Sequence, residues 1–133
     1  MEYSELAEQA LSAKKLSYAP YSNFHVGAAL LTQDNKLFLG ANIENASYGL
    51  TVCAERTAVF NALLEGEKKF KAIAITSDAE EFCPPCGACR QVLLELCGKE
   101  LDVILINKQK EMKMHKLSDL IPFSFGNEYL KKI

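Results

Sequence analysis

The chain has 133 residues, 49% of them apolar and 24% charged, with a formal net charge of −2. This is the size and balance of one soluble globular domain around one core, and the acidic excess disfavours a protein whose main partner is nucleic acid, because phosphate binding asks for a basic face. No run of about 18 apolar residues occurs, so no membrane span is expected, and the acidic start Met1-Glu2-Tyr3-Ser4-Glu5 lacks the basic and apolar regions of a signal peptide, which makes the cytoplasm the expected compartment.

Residues near 2–16 carry Leu6, Ala10, Ala13 and Leu16 at helical spacing, which predicts a first helix. Tyr18–Asn23 contains Pro20 among polar residues and reads as a loop. Val26–Leu31 and Leu37–Ala41 are short apolar runs around Gln33-Asp34-Asn35-Lys36, a hairpin pattern. A second helix is expected from Cys53 to about Glu65, with Ala54, Ala58, Ala62 and Leu63 on its buried side and Gly66 as its stop. Ala72–Thr76 reads as a buried strand. Pro84-Pro85 precedes a third helix from about Gly87 to Cys97, ended by Gly98. Val103–Asn107 is a fourth strand, and Met112 and Met114 alternate with lysine in a weaker fifth. Ser118 is the expected cap of a short helix before Pro122. The alternation of helices and strands predicts a mixed sheet with helices on both faces. No internal repeat, low-complexity segment or long linker interrupts it.

Five cysteines occur, Cys53, Cys83, Cys86, Cys89 and Cys97. An odd count in a reducing compartment points to metal or catalytic chemistry more than to a disulfide framework. Cys53-Ala54-Glu55 is answered later by Pro85-Cys86-Gly87-Ala88-Cys89. Three thiols and a carboxylate suit catalytic zinc: three protein ligands leave a fourth tetrahedral position for water, and a non-ligating Glu can move that water's proton. Both halves of the motif fall at predicted helix starts, where free N–H groups and a partial positive charge lower thiol pKa values. Cys86 and Cys89, three apart, share one side of a first helical turn. Cys86-x-x-Cys89 alone would also fit a redox dithiol or half of a zinc knuckle. Cys83 could complete a closed four-thiolate site, an arrangement that leaves Glu55 without a role. The simpler reading of Cys83 is a loop residue, and of Cys97 a small core residue.

The combined pattern is that of zinc-dependent nucleobase deaminases. Four segments carry a closer resemblance: Tyr18-Ala19-Pro20-Tyr21-Ser22-Asn23-Phe24-His25-Val26-Gly27-Ala28, Asn42-Ile43-Glu44-Asn45-Ala46-Ser47-Tyr48, Cys53-Ala54-Glu55-Arg56-Thr57-Ala58 and Pro85-Cys86-Gly87-Ala88-Cys89-Arg90-Gln91. Together they resemble the small, zinc-dependent, homotetrameric cytidine deaminases over essentially the whole chain. Some relatives use His as the first ligand, where this sequence has Cys53.

The resemblance implies a three-layer α/β/α fold with a mixed five-stranded sheet, a single domain over residues 1–133, and hydrolytic deamination of cytidine and 2′-deoxycytidine in pyrimidine salvage. It implies Zn²⁺ on Cys53, Cys86 and Cys89, with Glu55 as the catalytic residue that takes the water proton, delivers it to N3 and helps the amine leave. Asn42 and Glu44 match residues that hydrogen-bond the ribose 3′-hydroxyl. Phe24 matches an aromatic near the base, Ala54 would offer its N–H to the pyrimidine, and the Cys86 region would face the leaving amine. Phe125 matches an aromatic contributed by a neighbouring subunit, and Tyr48 is expected near a subunit boundary. A homotetramer with shared active sites follows, acting on a small nucleoside. Three thiolates on Zn²⁺ leave a formal excess of negative charge that opposes its Lewis acidity, and Arg56 with the two helix starts is the implied compensation. Arg90 fits either an exposed helix position or a site role, and His25 and His115 read as structural. Deamination of another cytosine-like compound, such as blasticidin S, is the nearest rival; members of that group tend to lack the Asn-x-Glu segment present here. Editing of polynucleotides would need a basic aromatic groove, and a zinc-stabilised binding module would unfold when stripped of metal.

Overall fold

A computed structural model describes residues 1–130. Helix α1 (Tyr3–Lys14) leads into a hairpin of β1 (Val26–Thr32) and β2 (Leu37–Ala41). Helix α2 (Ala54–Leu64), strand β3 (Phe70–Ser77), helix α3 (Gly87–Cys97), strands β4 (Asp102–Ile106) and β5 (Met112–Lys116) and the short α4 (Leu117–Leu120) follow. The five strands form one sheet in the order β2-β1-β3-β4-β5. β3 and β4 are parallel and the other neighbours antiparallel, so the sheet is mixed as expected.

Its central strands are apolar on both faces, and the period of two sorts their side chains into two cores. Ala28, Leu30, Ile73, Ile75, Val103 and Leu105 pack under α2 and α3. Ala29, Leu31, Ala72, Ala74, Ile104 and Ile106 pack under Leu6, Ala7 and Ala10 of α1. One helix on one face and the remaining helices on the other make the three-layer α/β/α arrangement. The hairpin turns where expected. Asn35 takes φ 69°, a conformation its short polar side chain tolerates, and Thr32 Oγ1 donates to Asp34 Oδ1 at 2.6 Å.

Three details differ from the sequence expectation. α1 ends at Lys14, and Leu16 beyond it is 68% exposed. The chain there leaves the helix through single turns (Leu16 N–H to Ala13 O, 2.9 Å) to bring Tyr18 into a bridge with Ile43, so the helical spacing of Leu16 is fortuitous. Ser118 is not a cap: α4 starts after Lys116, and Ser118 lies inside it with its N–H on Lys99 O at 3.1 Å. Asn107 falls just past β4, where its buried side chain holds the turn into β5 by bonding Glu111.

The start of α2, which carries half of the cysteine motif, is pressed against β2. A Cβ on Gly40 would lie 2.3 Å from Ala54 O and 2.4 Å from Ala58 N. Thr57 Oγ1 completes the joint, accepting from Ala41 N–H at 3.0 Å with Ala41 O and Ala54 O at 2.9 and 2.8 Å. Gly40→Ala is therefore expected to destabilise the chain by at least about 1–3 kcal/mol through overpacking, read as a fall in the urea midpoint. An unchanged midpoint would show that α2 can step back from the sheet at no cost. No helix among the described residues is long and apolar enough to cross a membrane.

Candidate active site and metal centre

Cys53 stands immediately before α2 and Cys86 immediately before α3, both with extended backbone. Their carbonyls accept the first helical N–H bonds, from Thr57 at 3.1 Å and Arg90 at 2.9 Å. Neither thiol caps its own helix, so both sulfurs are free to serve elsewhere. Cys89, in the first turn of α3, is completely buried. The three Sγ atoms lie within 4.8 Å of one another, the one such grouping of His, Cys, Asp or Glu among the described residues. Cys83 is outside it, so the closed four-thiolate arrangement is not formed.

The electrostatics follow from that crowding. The Cys53 thiol is pulled down to about 5, first by the hydrogen bond from Cys89 and then by the Arg56 guanidinium, whose Nη2 is 3.4 Å from Cys53 Sγ. The same bond pushes Cys89 up, so Cys53 carries the negative charge of the pair. Arg56 Nε is buried without a partner. A guanidinium held there calls for lasting negative charge on the sulfurs beside it. Glu55 is only 4% exposed, and burial pushes its carboxyl above the usual range, with the Cys53 charge adding to the effect.

These residues fit zinc. Thiolates around a tetrahedral zinc at about 2.3 Å stand about 3.8 Å from one another, inside the spacing found. Three soft donors with a half-buried guanidinium next to them match the charge that such a site develops.

A cavity of about 210 Å³ opens beside the triad, lined by Cys53, Ala54, Glu55, Cys86, Asn42, Val26, Thr51, Ile75, Cys83 and Pro84. Larger grooves, about 440 and 530 Å³, run along Lys36–Leu39 and along Lys68–Phe70, away from the triad. The site cavity thus joins the metal residues to Glu55, to Asn42 and to Ala54. As the first residue of α2, Ala54 has an N–H with no acceptor inside its helix.

Phe24, Glu44 and Phe125 are not among the residues lining this cavity. The Glu44 carboxylate accepts from the N–H groups of Tyr21 (3.0 Å) and Ser22 (3.1 Å) and from the Ser22 hydroxyl. The Ser22 hydroxyl bond, more than any other contact, holds Glu44 below the usual carboxylate range. Ser22 Oγ in turn accepts from Phe24 N–H at 3.0 Å. Asn42 Oδ1 accepts from Val26 N–H (2.9 Å) and Ser17 Oγ (2.6 Å), and its amide donates to Phe24 O (2.8 Å). The Asn42–Tyr48 segment therefore shapes the loop over residues 17–26 that flanks the cavity. Phe125 is 59% exposed and stacks on Tyr129, ring centroids 5.4 Å apart. His25 contacts Ser17 and Asn23, and His115 on β5 pairs with Val103 on β4, both outside the triad.

The model of the cytidine and deoxycytidylate deaminase zinc-binding region matches residues 1–105. The chain belongs to this family. A cytidine deaminase of Halalkalibacterium halodurans is 49% identical over 96% of this chain and 97% of its own length. Among solved structures, the cytidine deaminase of Burkholderia pseudomallei superposes with a TM-score of 0.92 at 50% identity, covering 94% of this chain and all of the other. That of Mycobacterium tuberculosis gives 0.83 at 39% identity, over 95% and 98%. The fold is that of the cytidine deaminases, and zinc is the ion its cysteine triad is built for.

Further residues, none of them a predicted site residue, complete the surroundings of the site. Val26, Thr51, Ile75, Cys83 and Pro84 form much of the deaminase cavity wall. Ser22 links Glu44 to the Phe24 backbone. Val26 and Ser22 lie in one segment with family resemblance and Cys83 draws notice as a candidate ligand, but nothing in the local pattern marks Thr51, Ile75 and Pro84, which come from separate strands and loops.

Proposed function

We propose that the protein is a zinc-dependent hydrolase that converts cytidine and 2′-deoxycytidine to uridine and 2′-deoxyuridine with release of ammonia. The observation that carries this reading is the buried Glu55 carboxyl lining the same cavity as a three-cysteine cluster with no fourth protein ligand in the group. Cys53, Cys86 and Cys89 hold the zinc. Bound there, zinc supplies a Lewis acid that makes water a usable nucleophile near neutral pH. Glu55, with its proton affinity raised by burial, takes a proton from water, places it on N3 of the base and then serves the departing amine. Ala54 N–H orients the pyrimidine ring, and Arg56 offsets the thiolate charge. Asn42 and Glu44 orient the ribose, Asn42 through its remaining amide N–H and Glu44 through the lone pairs its loop bonds leave over. Phe24 packs near the base.

We read residues 1–133 as one catalytic domain, active in the cytoplasm as part of pyrimidine salvage, on a small nucleoside and not on nucleic acid. We also assign a homotetramer with shared sites, in which Phe125 reaches a neighbouring subunit's pocket and Tyr48 lies near a boundary. Large apolar side chains available for subunit contacts support this: Tyr48 is 80%, Leu64 86% and Phe123 fully exposed. In size-exclusion chromatography with light scattering the expected mass is four times the 14.8 kDa of the chain. A monomer would remove the shared site.

A substrate panel on metal-analysed protein tests the activity. Ammonia release from cytidine and deoxycytidine, with none from cytosine, CMP, blasticidin S or an oligonucleotide, is the expected result. Blasticidin S as the sole substrate would replace the nucleoside reading; the Asn42-Ile43-Glu44 segment argues against it.

A further inference from the structure

Of the three zinc-binding thiols, Cys89 is buried, Cys53 is half-buried and Cys86 is exposed. The segment leading to Cys86 contains no regular element after β3, and its last two residues, Pro84 and Pro85, have no backbone N–H. Beside the buried Pro85 ring, the only backbone hydrogen-bonding groups these two residues offer are their carbonyls. Arg90, one turn into α3, supplies the anchor. Its Nε donates to Pro85 O at 2.8 Å, on the peptide group that joins Cys86, and its Nη1 donates to Leu120 O at 2.6 Å, at the end of α4. The planar guanidinium spans both acceptors at once, which the single ammonium of lysine does not reproduce.

Building on the zinc reading above, we propose that Arg90 is a positioning residue for the metal: by tying the Pro85 carbonyl to the end of α4 it holds Cys86, the exposed ligand, in place and so sets how fast zinc leaves. Zinc is lost by release of Cys86 first, since Cys53 is braced by Arg56 and Cys89 sits in the core. The role is confined to the backbone before Cys86. Gln91, the next residue, bonds Phe125 O at 2.9 Å and fastens the same C-terminal segment without touching Pro85.

The test is the rate at which zinc passes from the intact protein to excess 4-(2-pyridylazo)resorcinol, for wild type, R90A, R90K and Q91A, each quantified for zinc at the start. Release is expected to be about 10–100-fold faster in R90A and R90K and unchanged in Q91A. The thiolate-to-metal absorption of the Co²⁺-substituted R90K protein should shift as well. A mere brace of the fold would instead make release track the urea midpoint and respond to Q91A equally. Wild-type release from R90K, which preserves the charge and is usable even if R90A does not fold, would overturn the role of Arg90 alone. A wild-type chain that binds no zinc would overturn the metal reading and this one with it.

Discussion

Glu55→Gln is expected to keep one zinc per chain while lowering kcat for cytidine by at least about 10²–10⁴-fold. The substitution is close to isosteric, so a side chain that is 4% exposed at the first turn of α2 should still fit its buried position. What is lost is the capacity to accept and return a proton. Glu55 does not belong to the sulfur cluster, so metal content should stay near wild type by elemental analysis. A zinc-loaded Gln variant with near-normal kcat would assign the proton transfers to another group.

Cys89→Ala should lower turnover by a different route, through loss of the metal. Cys89 supplies the fully buried sulfur, and removing it leaves two donors, of which Cys86 is exposed. Lewis-acid stabilisation is worth several kcal/mol, so loss of zinc corresponds to a fall in turnover of about 10³-fold or more. The chain should still fold. Both cores are built from strand and helix side chains that do not need the metal, and trading a thiol for a methyl removes little volume. Circular dichroism should therefore be retained while zinc content and ammonia release collapse. Joint loss of zinc and secondary structure would mark the ion as a structural element and sink the catalytic assignment.

Much of this molecule is written locally. The short apolar runs from Val26 and from Ala72, the Asp34-Asn35 turn and the proline before α3 are short-range signals, and the structure has an element or a turn at each. The cysteine spacing is legible for the same reason: a helix start brings Cys86 and Cys89 to one side whatever surrounds them. Local spacing also misled. Leu16 continues a helical period that the chain abandons at Lys14, and Ser118 has the chemistry of a cap but sits inside α4, because bonds to distant residues fix both places.

The sequence by itself supplied the two candidate ligand segments, Cys53-Ala54-Glu55 and Cys86-x-x-Cys89, and the kind of helix start that presents each, since three to four covalently linked residues suffice for that local geometry. Only the tertiary structure decided that Cys53 joins the other two sulfurs, that Gly40 lets α2 press on β2, and that Arg90 reaches a carbonyl 30 residues along the chain. It also put the Glu44 carboxylate on the Tyr21–Ser22 loop. These contacts come from strand order and side-chain-to-backbone bonds between remote segments. Their partners share no periodicity, so no local pattern encodes them.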